Sequence, residues 1–217
     1  MGTPILIIGK SGSGKSTSLR NFGKDEIVLV NVSKKPLPFK GSFTNTVKSD
    51  SYSKIANAFK DLNKKTIVID DAGYLITNMF MRGHSTKGAG SAIFSFYNDL
   101  ADRFWGMIEY IKTLPDDINV YIMMHEESND VGEIKPKTIG KMLDEKVCLE
   151  GMFTIVLRCI VRDGKHYFST QNDGSDVSKS PMGMFDEKLI DNDLKAVDNI
   201  IREYYGLIGG KENEKKQ

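Results

Sequence analysis

The sequence predicts an α/β fold, a mostly parallel sheet flanked by helices with an antiparallel hairpin added toward the C-terminus. Three observations predict it. Gly9-Lys10-Ser11-Gly12-Ser13-Gly14-Lys15-Ser16 fills the spacing G-x-x-x-x-G-K-[ST] between an apolar run and a helical start. Short runs of β-branched and aliphatic residues then alternate with stretches of helical periodicity. Finally, Arg162-Asp163-Gly164 separates two alternating runs, and an Asp-Gly pair in that setting signals a hairpin.

The first apolar run, 3–8, reads as a buried strand, and 15–22 opens a helix that Gly23 is placed to end. Between them the chain must wrap a polyphosphate with its N–H groups turned inward. Gly9, Gly12 and Gly14 allow the positive φ angles and close backbone approach this needs. Ser11, Ser13 and Thr17 complete the cradle, Lys15 is the point charge for β and γ phosphates, and the Ser16 hydroxyl is a ligand for Mg²⁺. The competing account is a Gly/Ser-rich turn that binds nothing.

A second strand is expected over 26–32, followed by an irregular stretch that Pro36 and Pro38 interrupt. From Lys34 to Lys48 there are four lysines and no acid, interleaved with Phe39 and Phe43. Two readings stand: a nucleic-acid contact, or a solvated loop whose aromatics tuck into the core. A crossover helix over 51–62 carries Ile55, Ala58, Phe59 and Leu62 on one stripe, with Asp50, Ser51 or Ser53 as its cap. The strand 65–71 ends in two carboxylates, Asp70 and Asp71. A buried strand ending in acids downstream of a P-loop places Asp70 in the Mg²⁺ shell and Asp71 beside the attacking water.

Residues 73–81 read as a short helix or turn, and 82–91 as a mobile, mildly basic loop in which Arg82 and Lys87 either grip a polymer or are ordinary surface cations. A long amphipathic helix over 93–114 follows, stopped by Pro115, with Trp105 off its stripe and half covered or free for a partner. The strand 120–124 leads to His125-Glu126-Glu127, where His125 either senses the γ-phosphate or is a structural strand-end histidine. Residues 128–141 read as irregular, with Lys135 and Lys137 as further candidate contacts to nucleic acid. The hairpin over 154–170, loop chemistry over 178–184 and a last amphipathic helix closed by Gly206 complete a single domain over 1–208, with a disordered charged tail over 209–217.

Composition bounds the rest. The 217 residues suffice for one core, and a net charge of +1 exerts no global pull toward nucleic acid or membrane. Met1 leads directly into the first strand and no apolar run nears the length of a membrane helix, so a cytoplasmic location without membrane contact is expected. Cys148 and Cys159 lack C-x-x-C spacing and read as buried reduced thiols, and the three histidines form no zinc pattern.

Taken in order, the P-loop, Asp70-Asp71, His125-Glu126-Glu127, the hairpin and Ser178-Lys179-Ser180-Pro181-Met182-Gly183 resemble the phage-encoded RecA-like P-loop ATPases, and among them the RecA-core group of Sak-type single-strand annealing and recombination proteins. The resemblance runs from Pro4 to about Met184. It implies that the His125 strand lies between the P-loop strand and the Asp70 strand, that ATP and Mg²⁺ are bound, and that subunits assemble into rings or filaments. It further implies single-stranded DNA near mobile loops, a phage single-strand binding protein as partner, and the cytoplasm of a bacterial host.

Relatives carry a lysine, followed two residues on by Arg or Lys, that reaches a neighbour's ATP. Lys179 matches the first position and Pro181 occupies the second. Relatives also place a catalytic Glu just after the second strand, where this chain has Ser33-Lys34, so Asp71 or Glu126 must serve as base or hydrolysis is slow. Two other classes remain: a nucleotide-gated interaction protein such as a helicase loader or packaging accessory, and a small-molecule kinase, which the six scattered arginines disfavour.

Overall fold

The computed structural model describes residues 1–60, 63–86, 90–140, 143 and 146–207. Along them run β1 (Thr3–Gly9), β2 (Ile27–Asn31), β3 (Asn45–Val47), α1 (Tyr52–Ala58), β4 (Thr66–Asp70), α2 (Gly73–Gly83), α3 (Ser91–Lys112), β5 (Asn119–Ser128), β6 (Ile134–Pro136), β7 (Ile155–Arg162), β8 (Lys165–Ser169), β9 (Leu189–Asp191) and α4 (Leu194–Tyr204). The sheet order is β3-β2-β4-β5-β1-β7-β8-β9, with β6 paired to the far end of β5. The strands from β3 through β7 in this order are parallel, and β8 and β9 extend the sheet antiparallel. β5 therefore lies between the P-loop strand and the Asp70 strand, as the resemblance implied.

Side-chain alternation builds two cores, one on each face. Leu6 and Ile8 of β1, Ile67 and Ile69 of β4, and Val120, Ile122 and Met124 of β5 face α1, α2 and α3, where Ile55, Leu75, Leu100, Phe104 and Ile108 meet them. Ile5, Ile7, Val68, Tyr121 and Met123 face the other way, onto Leu19 and onto Leu194, Val197 and Ile201 of α4. Three layers result, with every central strand buried on both faces, which is why these strands read as continuous apolar runs.

At the amino ends of β4 and β5, α4 is tied down by one carboxylate. Asp198, 4% exposed, accepts from Thr66 Oγ1 (2.8 Å), Asn119 Nδ2 (2.8 Å), Tyr121 OH (2.7 Å) and Arg202 Nε (2.7 Å). Arg202 also donates to the carbonyls of Lys65 (2.7 Å) and Asp117 (2.9 Å). The helix ends as Gly206 suggested: Gly206 has φ 66°, its N–H donates to the Glu203 carbonyl, and Leu207 N–H donates to that of Arg202.

Several local expectations are corrected. The turn after the P-loop is a six-residue 3₁₀ helix, Ser16–Asn21, and it ends at an extended Phe22, one residue before Gly23. Its Ser-Thr-Ser opening explains the tightening, since Ser18 Oγ donates to the Lys15 carbonyl at 2.6 Å and competes with the helical pattern. Of the stretch 82–91, Arg82 and Gly83 end α2, His84–Thr86 is a 3₁₀ turn and Ser91 opens α3, while 87–89 lie outside the described residues. The stretch 128–141 contains β6, a short hairpin partner of β5, held where Lys137 N–H donates to the His125 carbonyl (2.8 Å). Cys148 is exposed, and Cys159 alone is a buried thiol.

Ser51 precedes α1, but its side chain makes no capping bond there. Phe39 and Phe43 pack edge to face at 6.3 Å against the α4-side core, the second of the two readings of that loop. Trp105 is 48% exposed. Leu62, Lys87, Lys141 and the expected tail 209–217 lie outside the described residues.

Candidate functional site

The P-loop leaves the carboxyl end of β1 and borders a cavity of about 760 Å³, lined by Lys10 to Gly12, Gly14 to Thr17, Asp70, Asp71 and His125 among others. The loop's shape follows from its glycines. Gly12 and Gly14 have φ of 76° and 106°, the left-handed region glycine tolerates. Gly9 has no such φ; space is its constraint, because a Cβ there would stand 2.5 Å from Ser13 Oγ and 2.9 Å from Cys159 Cβ. Behind the loop, the Ser13 carbonyl accepts from His166 Nδ1 at 2.9 Å, and since a carbonyl only accepts, Nδ1 carries the proton. Arg20 donates to the Asn192 carbonyl at 2.5 Å, anchoring the 3₁₀ turn to the segment before α4.

Lys15 is 5% exposed and folds back to donate to the Gly9 (2.8 Å) and Lys10 (3.0 Å) carbonyls. Burial pushes its pKa down, opposed by the negative charge around it, Asp71 and Asp70 included. An ammonium held only by neutral carbonyls in a desolvated site is poised for an anion. Ser13 Oγ is also buried, with no hydrogen-bond partner among the described residues.

Asp70 ends β4, and Ser16 Oγ donates to its Oδ1 at 2.9 Å. Burial, with the charge of Asp71 adding, pushes the Asp70 carboxyl up to about 6. A hydroxyl and an undersupplied carboxylate, both hard oxygen donors set side by side, suit Mg²⁺, and these residues fit the ion that an ATP site implies. Asp71 follows at φ 59°, a strained backbone that turns its carboxylate across the cavity. Its pKa is held well below the usual carboxylate range, first by His125, then by the Ser33 hydroxyl and the charge of Lys35, against burial. His125 Nε2 stands 3.5 Å from Oδ1 and Lys35 Nζ 3.5 Å from Oδ2. His125 also meets the Tyr74 ring edge to face at 6.1 Å.

Glu126 borders the same cavity, yet both of its oxygens are taken. Arg158 Nε and Nη2 bind them at 2.8 and 3.0 Å, the Glu126 side chain is 2% exposed, and Arg158 goes on to Asp176 at 3.2 Å. Of the two candidate bases, Asp71 is the one whose ionisable partners stand off at 3.5 Å, where Arg158 holds Glu126 at 2.8 and 3.0 Å.

The other candidates are dispersed. Arg82 is spent on Asp50 at 2.7 Å. Lys135 borders a separate small cavity with Cys148 and Glu150, and Lys137 borders the main one. Lys179 forms a backbone bridge with Val156 (2.8 and 2.9 Å) and borders neither cavity. Among the described residues no arginine lines the main cavity. Sequence reasoning passed over Asn31, Tyr74, Thr77, Thr138 and Ile139, all of which line it, and weighed Lys35 only within the 34–48 loop, as a nucleic-acid contact or a solvated cation. Only their placement just after strands that end at the P-loop side could have pointed to them.

Among solved structures the chain is similar to a KaiC-like protein, PH0186, from the hyperthermophilic archaeon Pyrococcus horikoshii OT3, at 13% identity over 77% of each chain with a TM-score of 0.46. It is also similar to an ATPase from the type III secretion system of pathogenic bacteria, at 16% identity over 75% of this chain and 53% of that ATPase, with a TM-score of 0.42. No curated protein matches it. The sequence profile of the AAA domain family matches residues 1–182, which takes in the P-loop, both acids, His125 and the hairpin, and the chain therefore belongs to the AAA domain family.

Proposed function

We propose that the chain binds Mg-ATP and single-stranded DNA and assists phage recombination or annealing in the cytoplasm of a bacterial host, as a ring or filament that works with a phage single-strand binding protein. The observation that carries the nucleotide half is the Ser16–Asp70 pair at 2.9 Å beside a buried Lys15 on a P-loop of the full spacing. The DNA half is supported by the resemblance from Pro4 to Met184 and by Lys137 at the rim of the cavity.

In this reading Lys15 and the inward amides of the loop stabilise charge on the transferring phosphoryl group. Ser16 and Asp70 hold Mg²⁺, which when bound neutralises charge on the phosphates. Asp71 orients the attacking water, with His125 set between that carboxylate and the strand end that binds β6. A carboxylate kept strongly acidic is a weak proton acceptor, so turnover is slow.

Two observations favour a second reading, a nucleotide-gated interaction protein such as a helicase loader or packaging accessory. Glu126 is locked by Arg158, and Lys179 stands away from the cavity, so ATP acts mainly as a switch. A small-molecule kinase is less favoured, since the described cavity wall holds no arginine for a second phosphate substrate.

The deciding measurement is ATP hydrolysis with and without single-stranded DNA at low salt, beside a fluorescence titration of the strand. DNA-stimulated turnover that Lys15→Ala abolishes, with ATP-dependent strand binding, is the expected result. Turnover untouched by Lys15→Ala sinks the ATP assignment, and absence of strand affinity removes the DNA half and leaves the switch.

A further inference from the structure

The cavity extends from the P-loop over the carboxyl ends of β5, β4 and β2, and among the described residues none of β7, β8 or β9 lines it. On the Mg-ATP reading, in which Ser16 and Asp70 would hold the ion, this extension is the open space beside them that a terminal phosphate would enter. Two cations line it there, Lys137 after β6 and Lys35, and Lys35 is the one that stands against Asp71. It is not the trans lysine of the relatives, and it comes from the loop after β2, where those relatives carry an acid.

The fold aims Lys35 inward by a short series of contacts. Asn31 ends β2 in register with Asp70 of β4, and its Nδ2 donates to the Lys35 carbonyl at 2.7 Å, which closes the turn. Lys34 takes up φ 60° and sends its side chain away from the site, to within 3.5 Å of Asp50. Asp50 is itself held by Arg82 (2.7 Å) and Asn78 (2.9 Å) of α2. The two consecutive lysines thus diverge. Lys35 Nζ lies 5.1 Å over the Tyr74 ring and 3.5 Å from Asp71 Oδ2.

Neither partner holds Lys35 strongly. Its side chain is 62% exposed, and an ion pair at that exposure and distance contributes little. Asp71 keeps His125 and Ser33 when Lys35 leaves. A doubly charged terminal phosphate arriving beside Asp70 outcompetes one carboxylate already shared by other donors.

We propose that Lys35 is the cation this chain supplies in cis to the terminal phosphate of ATP, and that it makes the site discriminate ATP from ADP. The inference rests on the Mg-ATP reading of the P-loop. On binding, Lys35 exchanges Asp71 Oδ2 for the γ-phosphate while remaining over Tyr74. The same exchange frees Oδ2 to accept a hydrogen bond from water, so occupancy by ATP, and not by ADP, readies Asp71.

Equilibrium binding of ATP and of ADP, each with Mg²⁺, tests this by calorimetry on the wild type, Lys35→Gln, Lys35→Arg and Lys34→Gln. Loss of one charge-assisted contact weakens ATP binding by about 10- to 100-fold in Lys35→Gln and leaves ADP affinity within about twofold. Lys35→Arg retains most of the ATP preference, and Lys34→Gln, whose side chain faces Asp50, binds both nucleotides as the wild type does. An unchanged ATP-to-ADP ratio in Lys35→Gln overturns the proposal. An equal loss for both nucleotides also overturns it, by reducing Lys35 to a brace of the loop. A wild type that binds neither nucleotide overturns the P-loop reading itself, an outcome distinct from both.

Discussion

Two buried carboxylates sit at opposite ends of the central sheet, and they are built on opposite plans. Asp198 meets the first residue of β4, Thr66, while Asp70 is the last residue of that strand. Both are nearly inaccessible, at 4% and 6% exposure. Asp198 receives donors from two strands and its own helix, each at 2.7 or 2.8 Å, with a guanidinium among them. Asp70 receives one side-chain donor among the described residues, Ser16, and burial pushes its pKa up to about 6. A fully supplied acid fastens the fold, and an undersupplied one, on the proposed reading, is left for a ligand.

The sharpest way to break this comparison is to remove each acid in turn. Asp198→Ala strands Arg202, Tyr121, Asn119 and Thr66 without their shared acceptor and should cost about 3–5 kcal/mol in urea unfolding, the range for breaking a buried ion pair. Its nucleotide affinity under native conditions should stay near wild type. A loss under about 1 kcal/mol would show that the network is not a fastener.

Asp70→Asn should act the other way. Between the ordinary carboxyl value of 3.8 and about 6 the folded protein holds a proton that the unfolded chain has released, so rising pH through that window destabilises the apo fold. Removing the charge should raise apo stability at pH 7 by about 1–3 kcal/mol while Mg²⁺-dependent ATP binding falls by about 100-fold. Apo destabilisation, measured by thermal melting, would place Asp70 with Asp198.

Asp50 gives the smallest effect and an intermediate case. Its carboxyl is held at about 2, first by the Arg82 guanidinium and with Asn78 adding, against burial. A depressed carboxyl contributes stability above its unfolded value and loses it as pH falls toward the folded value. The stability gap between wild type and Asp50→Asn should therefore be under about 1 kcal/mol at pH 6 and close between pH 4 and 2. A gap constant with pH would mean that Arg82 contributes no charge interaction there.

What was legible in the sequence was whatever is contiguous. The P-loop spacing, the apolar runs of β1, β2, β4 and β5, the Asp163-Gly164 turn with φ of 52° and 73°, and the Gly206 stop all depend on residues within a few positions of one another. The short strands β3, β6 and β9 were not legible, because three residues carry too little periodicity and owe their pairing to a neighbour already in place. Arg158 claims Glu126 from 32 residues away, and nothing in His125-Glu126-Glu127 announces it.

The sequence by itself determined that this protein builds a loop of full P-loop spacing and ends a buried strand in two acids, because backbone freedom at glycine and side-chain alternation are local properties. Tertiary structure alone decided which acid stands where. Ser16 and Asp70 meet across 54 residues because β4 and β1 flank β5, Glu126 is withdrawn because β7 lies beside β1, and Lys35 enters the cavity because β2 sits next to β4. Those outcomes follow from strand order, which only packing of the two cores selects.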